Sequence, residues 1–336
     1  MKLFPGQTHN TWMLFQNTGC QTWTSNLRLG TWNPTPGQDQ ASAIGGATGC
    51  GVVTNWVACN RPASGATPVA TGQNVTFNYQ VKAPASSGTY PLYVRPLIEG
   101  VTWLTDQGVH LEVDSSNYRY AGQVSSTNSF AGVWGYIQSA SITLSNYGNH
   151  MAHWIGSTDF AATAFSPQWL QTGWYVGTIA STVTTPTWYV EYSDYQGAYG
   201  APTVAGIQVG TNAQYAIWAD GTGGSDSVGP YYNHYAVVNG SPANSPTWST
   251  RLQHLYMRSD ANGELYSGNM TNEPSGGPCF GCFTGGYFFD LATNAANGTT
   301  TWSSWTSAVN TPSIEADAPY SYSANQSYTS FKVLGP

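Results

Sequence analysis

Charged side chains are scarce in this chain. Asp, Glu, Lys and Arg make up 7% of its 336 residues, whereas they account for roughly 25% of an ordinary soluble domain. Lys and Arg together number nine, and the net charge is −7. Nucleic acids and anionic membranes are bound through clusters of basic residues, so we expect neither as a partner.

A second absence is that of long apolar runs. A membrane-spanning helix needs about 18 to 20 consecutive apolar residues, and the sequence has no such run. Apolar residues at helical spacing are also almost missing. What recurs is a short alternation of apolar and polar residues, as in residues 75–79 and 215–218, which is typical of half-buried strands.

Dipeptides that favour tight turns separate several of these segments. They are Asp220-Gly221, Asn239-Gly240, Asn262-Gly263 and Asn297-Gly298. Such turns join antiparallel strands, and short strands at regular spacing favour sandwiches or barrels. The sequence therefore predicts an all-β protein with antiparallel sheets.

The length is sufficient for two domains, each with its own core. A polar stretch at residues 114–117 follows the last predicted strand of the first half, residues 110–113. We predict one domain over residues 1–113 and a larger one over residues 118–336.

The five cysteines differ in their surroundings. Cys50 and Cys59 bracket a Gly-rich, hairpin-like segment, and Cys279 and Cys282 lie in a Pro-Cys-Phe-Gly-Cys turn. We expect two local disulfides, with Cys20 left as a buried thiol. Half of a zinc site or a redox pair is the alternative for the second pair.

Disulfides and few lysines indicate an oxidising compartment. Residues 1–5 contain no apolar signal core, so we expect an extracellular, secreted protein whose signal peptide precedes this sequence.

The first half carries a specific set of short motifs. They are Pro5-Gly6-Gln7, Thr11-Trp12, Asn17-Thr18-Gly19-Cys20-Gln21-Thr22-Trp23, Ala83-Pro84-Ala85 and Gly88-Thr89-Tyr90. This set resembles the four-tryptophan, immunoglobulin-like domain over roughly residues 4–113, although Tyr93 stands where the family has a tryptophan. The resemblance implies an immunoglobulin-like sandwich with a binding or spacer role. Large aromatics on alternating strands usually fill sandwich cores, so we expect Trp12 and Trp23 in the core.

Strand alternation in the second half points to a polar face. Trp169, Gln171 and Tyr175 share one side of a predicted strand, and the other side is apolar. Glu264 shares its face with Tyr266 and follows an Asn-Gly turn, which predicts a carboxyl on a strand near a sheet margin. We therefore regard Trp169, Tyr175 and Tyr266 as candidate substrate-binding residues. His153 and Trp154 are expected to be structural, and His254 with Tyr256 either lines a groove or lies on an exposed sheet.

Three segments of this half resemble the glutamic peptidases, the fungal eqolisins and the plant neprosins. They are Gln171-Thr172-Gly173-Trp174, residues 188–194 and Gly263-Glu264. The order of segments over residues 120–295 is most similar to that of neprosins, whose first catalytic residue is a glutamate, whereas Gln171 is the eqolisin residue.

The resemblance implies a concanavalin-like antiparallel β-sandwich and an acid endopeptidase that cleaves polypeptides. Positional transfer makes Gln171 the amide that stabilises the oxyanion and Glu264 the general base and later general acid. Glu191 lies on the segment that supplies substrate-side acid groups. The mechanism needs no metal or other cofactor.

Two other functions stay open on the sequence. One is a non-catalytic, extracellular carbohydrate-binding or adhesive β-sandwich, whose partner would be a polysaccharide or a cell surface. The other is glycoside hydrolysis by Glu191 with Glu264, which requires two carboxyls about 5 to 9.5 Å apart. A serine hydrolase and a zinc peptidase are disfavoured, because neither Gly-x-Ser-x-Gly nor His-Glu-x-x-His occurs.

Overall fold

The computed structural model describes a chain built from strands. The described residues are 1–32, 35–143, 149–179, 181–239, 246–267, 282–283, 286–295, 302–307, 309–317, 321–324 and 328–334. Within these ranges the secondary structure consists of 26 strands and no α-helix, which confirms the all-β prediction. No helix long and apolar enough to cross a membrane occurs in them.

Packing divides the chain into two compact units, and the first comprises residues 1–117. Its strands are β1 (Lys2–Leu3), β2 (Thr8–Gln16), β3 (Leu27–Thr31), β4 (Ala63–Ser64), β5 (Asn74–Lys82), β6 (Gly88–Ile98), β7 (Thr102–Trp103) and β8 (His110–Ser115). One sheet has the order β1-β8-β6-β3-β4 with β7 on β6, and β2 pairs with β5 in a second sheet.

Alternation along β5 builds the core of this unit. Val75, Phe77 and Tyr79 are buried, whereas Thr76 and Asn78 between them are exposed. This is the expected period of two for a strand with one solvent-facing side.

Trp12 does not lie in that core as expected. Its side chain is 63% exposed, because it projects from the outer side of β2 while Met13 and Phe15 point inward. Trp23 does pack against the core.

The cysteines of this unit give one confirmation and one correction. Cys50 and Cys59 form the predicted disulfide. Cys20 is exposed rather than buried, because it lies in the bend that follows β2. Cys279 and the side chain of Cys282 lie outside the described residues, so the second predicted disulfide stays a prediction.

The second unit contains the described residues from Tyr118 onward. Its strands are β9 (Tyr118–Val124), β10 (Gly132–Gln138), β11 (Ile142–Thr143), β12 (Asn149–Asp159), β13 (Gln168–Thr178), β14 (Thr182–Ser193), β15 (Tyr199–Gly200), β16 (Thr203–Gly206), β17 (Asn212–Ser225), β18 (Pro230–Val238), β19 (Trp248–Leu252), β20 (Arg258–Ser267), β21 (Cys282–Phe283), β22 (Gly286–Asn294), β23 (Trp302–Ser304), β24 (Ser313–Ala316), β25 (Ser321–Ala324) and β26 (Phe331–Leu334).

Two eight-stranded sheets dominate this unit. The first has the order β15-β14-β13-β12-β20-β9-β24, with β16 on β14. The second has the order β19-β18-β17-β10-β22-β26-β25, with β23 on β22. Strands β12 and β13 of the first sheet contact β10, β17 and β18 of the second, so the two sheets form a sandwich.

The layer between the sheets is filled from one face of β12 and β13. The His153 ring stacks on Trp174 with centroids 4.6 Å apart and contacts Phe288 of the second sheet. Burial lowers the pKa of His153 to about 3, so this ring is neutral and structural, as the sequence predicted. The opposite face of the first sheet is free to carry polar groups.

The Asn-Gly signal at residues 262–263 does not mark a turn. Both residues lie inside β20, which is hydrogen-bonded to β12 on one side and β9 on the other. A Cβ at Gly122 of β9 would overlap the Asn262 side chain, and a Cβ at Gly263 would come within 3.1 Å of Val333. Gly122 therefore provides space for Asn262 within the sheet, and Gly263 provides space between the two sheets. Glu264 lies on an interior strand rather than at a sheet margin.

Candidate active site

Four neighbouring strands of the first sheet, β14, β13, β12 and β20, meet in register on its outer face. In register, Gly156 of β12 lies between Gln171 of β13 and Asp260 of β20. Gln171 in turn faces Glu191 of β14. Neighbouring strands are about 4.8 Å apart, so a row of side chains crosses the middle of the sheet.

This face contains a groove with a volume of about 390 Å³. Its lining is aromatic and acidic, and comprises Tyr118, Tyr120, Val124, Trp154, Thr158, Phe160, Pro167, Trp169, Gln171, Glu191, Arg258, Asp260, Asn262, Glu264 and Glu315. Gly156 leaves room for one of these rings, since a Cβ there would come within 2.7 Å of the Trp154 ring.

The Gln171 amide is held by two partners on β14. Its Nε2 donates to Glu191 Oε2 at 2.7 Å and to Tyr189 Oη at 3.1 Å. The other oxygen of Glu191 accepts a hydrogen bond from Tyr199 Oη at 2.6 Å. Gln171 and Glu191 are 8% and 9% exposed, so these two side chains are almost fully shielded from water, whereas Tyr199 is exposed.

Glu264 is fixed by two residues of β12. Its Oε1 lies 3.0 Å from His150 Nε2, and its Oε2 accepts a hydrogen bond from Trp154 Nε1 at 3.1 Å. The other ring nitrogen of His150 lies 3.2 Å from the Thr178 carbonyl oxygen. With one partner on each oxygen, the carboxyl of Glu264 has a defined orientation.

Glu191 is affected by its burial and by the second glutamate. Burial and the nearby charge of Glu264 together raise the pKa of Glu191 from an ordinary value of 4.5 to about 7, against the hydrogen bond from Tyr199. Burial and the charge of Glu264 also raise the pKa of Tyr118 to about 12. Glu191 is therefore protonated over much of the acidic range.

Four predicted site residues line the groove together: Gln171, Glu264, Glu191 and Trp169. Tyr175 does not line it, because its ring is fully buried and its hydroxyl donates to the Ser181 carbonyl. Tyr266 lies beside the groove, stacked on His150 with centroids 5.2 Å apart.

Sequence reasoning missed three groups that contact the predicted site. His150 and Trp154 hold Glu264, and Tyr199 holds Glu191. Trp154 could have been identified, because alternation from Gly156 places it on the groove face of β12. Tyr199 has no comparable signal, since it reaches the site through the β14–β15 pairing.

His254 also has a defined partner elsewhere. Its Nδ1 lies 2.7 Å from Asp159 Oδ2, and neither residue lines this groove.

Comparisons with known proteins give structural neighbours alone. No protein-family model matches the chain, and no curated protein matches it. Similar solved structures include scytalido-glutamic peptidase with a peptide-based transition-state analogue (13% identity, TM-score 0.39) and with a transition-state analogue inhibitor (13%, 0.40). Another is SCP-B, a member of the eqolisin family of peptidases, in complex with a tripeptide, Ala-Ile-His (12%, 0.37). Each alignment covers 65% of this chain and 98% of the other chain.

Proposed function

We propose that this chain is a secreted acid endopeptidase that activates water with Glu264 and stabilises the oxyanion with Gln171. The observation that carries the proposal is the convergence of one amide and two interacting carboxyls in a single groove. The disulfide between Cys50 and Cys59 supports an oxidising, extracellular location.

Glu264 acts as the base in this proposal. Its carboxylate, oriented by His150 and Trp154, takes a proton from the water that attacks the peptide carbonyl. It then returns that proton to the leaving amine, which completes hydrolysis without a covalent intermediate. Fixed partners on both oxygens keep the carboxyl positioned through both transfers.

Gln171 supplies the oxyanion donor after a change in its orientation. Both N–H groups of its amide are used by Glu191 and Tyr189 when Glu191 is ionised. When Glu191 is protonated, the amide can rotate by half a turn, which places its oxygen where the NH₂ group was. Glu191 and Tyr189 then both donate hydrogen bonds to that oxygen. Both N–H groups are then released toward the groove, where they can stabilise the developing oxyanion.

This mechanism predicts activity on the acidic side of neutrality. Glu264 must be ionised to accept a proton, and Glu191 must be protonated to release Gln171. Rates should therefore form a bell whose upper limb lies near the pKa of about 7 that burial gives Glu191.

Hydrolysis of a denatured protein between about pH 2 and 8 tests the proposal. Wild type should cleave it in acid, in the presence of inhibitors of serine, cysteine and metal-dependent peptidases. Glu264→Gln, which can still accept the Trp154 hydrogen bond, should be inactive, and the exposed control Glu112→Gln should not. Equal inactivity of wild type and Glu264→Gln at every pH would refute the peptidase function.

A second candidate function belongs to the N-terminal unit. A groove of about 710 Å³ there has no charged side chain among the described residues that line it. Aromatic and aliphatic side chains line it together with amides and hydroxyls, including Trp23, Trp103, Gln16, Gln107 and Thr105. Leu14 of β2 also lines the groove, and Trp12, two residues earlier on the same side of β2, is exposed. Aromatic rings flanked by amides suit a neutral polysaccharide.

Affinity electrophoresis through neutral and anionic polysaccharides tests this second function. The neutral polymer should retard wild type, and Trp12→Ala should weaken that retardation whereas Glu264→Gln should not. Equal mobility in gels with and without the neutral polymer would contradict it.

A further inference from the structure

One end of the groove carries a single positive charge. Among the described residues that line the groove, Arg258 is the sole basic one. Its guanidinium lies over the Phe160 ring, with Cζ 5.1 Å from the centroid. An aromatic face holds a guanidinium plane and leaves its edge available for hydrogen bonds.

Asp260 lies two residues further along the same face of β20. Its side chain is buried, and its residue exposure is 4%. Thr158 Oγ1 donates to Asp260 Oδ2 at 2.6 Å. Within the described part of the chain, neither Asp260 Oδ1 nor Arg258 Nε has a hydrogen-bond partner. Unsatisfied buried polar atoms are costly, and both residues line the same groove, so a ligand that offers these side chains hydrogen bonds would be stabilised there.

The charge state of Asp260 leaves Arg258 available in acid. Burial raises the pKa of Asp260 to about 7, against the hydrogen bond from Thr158 and the charge of Arg258. Glu315 of β24 also acts on Asp260 and raises its pKa, and Glu191 and Glu264 line the same groove. Below neutrality Asp260 is therefore a neutral acid that can donate a hydrogen bond, and it does not cancel the charge of Arg258.

We propose that this end of the groove binds a carboxylate of the polypeptide substrate, with Arg258 as its cationic partner and Asp260 as a neutral hydrogen-bond donor. This assignment rests on the proposed peptidase function and adds a specificity to it. Phe160, Pro167 and Trp169 supply the apolar walls around the carboxylate. The carboxylate belongs either to an acidic side chain or to the C-terminus of the chain being cleaved.

The chemistry sets a pH window for this recognition. Below about pH 4 an acidic side chain of the substrate becomes protonated and loses its attraction to Arg258. Above about pH 7 Asp260 ionises, repels the substrate carboxylate and pairs with Arg258. Preference for a carboxylate should therefore be greatest between these limits.

Two matched peptide pairs test the assignment. One pair differs by Glu against Gln within the sequence, and the other by a free against an amidated C-terminus. At pH 5, wild type should favour the carboxylate member of one pair by about 10- to 100-fold in kcat/KM, the range expected for hydrogen bonds to a charged group. The pair that shows the preference identifies the source of the carboxylate.

Three variants and one control separate the roles. In Arg258→Gln the ratio of the two kcat/KM values should fall toward one, and Arg258→Lys should leave an intermediate ratio because it lacks the planar fork. Asp260→Asn should keep the preference at pH 5 and extend it above pH 7. Arg251→Gln is the matched control, since Arg251 also lies over a ring, that of Tyr231, away from this groove.

Two results would overturn the assignment: equal cleavage of both members of each pair by wild type, or an unchanged preference in Arg258→Gln. Both are distinct from failure of the peptidase function, in which no peptide is cleaved at any pH. Thermal unfolding of each variant establishes that a lost preference does not reflect a lost fold.

Discussion

Gln171 and Glu191 are direct cross-strand partners on β13 and β14, and the amide Nε2 donates to the carboxyl Oε2 at 2.7 Å. This contact joins a neutral group to a carboxyl that burial keeps protonated up to about pH 7. The orientation of the amide therefore depends on the protonation of its neighbour, which couples the oxyanion donor to pH.

Removal of the amide should slow hydrolysis far more than removal of its second partner, Tyr189. Gln171→Ala should lower kcat by about 10²- to 10³-fold, as expected for loss of one oxyanion donor. Tyr189→Phe keeps the buried ring and removes one of the two groups that donate to the rotated amide, and protonated Glu191 remains as the other, so its kcat should fall much less than that of Gln171→Ala. Steady-state kinetics at the acidic optimum measures both. A fall in Tyr189→Phe as large as that in Gln171→Ala would show that the amide is not the donor.

A carboxyl in place of the amide should move the pH profile. In Gln171→Glu the new carboxyl would lie beside Glu191, and two adjacent carboxyls titrate in coupled steps. The new group can donate to an oxyanion only when it is protonated, and both carboxyls of the pair must then hold their protons. The second proton binds with a lower pKa than the first, so the upper limb of the kcat profile should shift to lower pH. An unchanged upper limb would contradict this coupling.

The sequence predicted the strands and the groove face well, because both follow from a period of two. Alternation assigned Leu170 and Trp174 to the interior and Gln171 to the opposite face, and the structure agrees. Alternation fails to separate a lining residue from a buried one on the same face. Tyr175, on the same side of the strand as Gln171, is buried against Tyr189.

The Asp-Gly and Asn-Gly dipeptides predicted turns less reliably than alternation predicted strands, because glycine also occurs inside strands. At residues 220–221 the Asp-Gly pair lies inside β17, where Gly221 has a φ of 80° and the register shifts between Ala219 and Gly223. Asn239 has a φ of 53° directly after β18, as a turn requires. Asn297-Gly298 lies outside the described residues, and the immunoglobulin-like character of the first unit stays a prediction.

The cysteines should differ in reactivity and in their effect on stability. Cys20 is exposed, so a maleimide should label it in the native protein, and Cys20→Ser should remove that label. Replacing both Cys50 and Cys59 by Ser should lower the free energy of unfolding by about 2 to 3 kcal/mol, the chain-entropy estimate for a short loop. Intact mass after labelling measures the first effect, and chemical denaturation measures the second. Labelling of wild type and Cys20→Ser to the same extent would contradict the first.

The second unit should fold and cleave peptides without the first. Among the described strands, each sheet takes all its members from one unit, so removal of residues 1–117 breaks no strand pairing. A fragment of residues 118–336 should unfold cooperatively and retain the acidic kcat of the whole chain. Its neutral-polysaccharide binding should be lost with the first unit. An insoluble fragment, or one with no cooperative transition, would show that the units share one core.

The buried carboxyl of Glu191 should make the folded state less stable as pH rises. Below about pH 4.5 this group is protonated in both the folded and the unfolded chain, so it has no effect on the pH dependence. Between about pH 4.5 and 7 the unfolded chain releases the proton while the folded protein keeps it, so stability falls with rising pH until the folded group ionises near pH 7. Glu191→Gln cannot ionise and should escape this loss.

The measurement compares the free energy of unfolding of wild type and Glu191→Gln at pH 4 and pH 8. The variant should gain about 1 to 3 kcal/mol relative to wild type between these two pH values. His153 and His234, whose pKa values burial lowers to about 3 and about 4, contribute the opposite slope, but they are present in both proteins and cancel in the difference. Glu112→Gln, at an exposed site in the other unit, should show no such gain. A difference that stays constant from pH 4 to pH 8 would mean that the pKa of Glu191 is the same in the folded and the unfolded chain, and the release of Gln171 up to near-neutral pH would then fail with it.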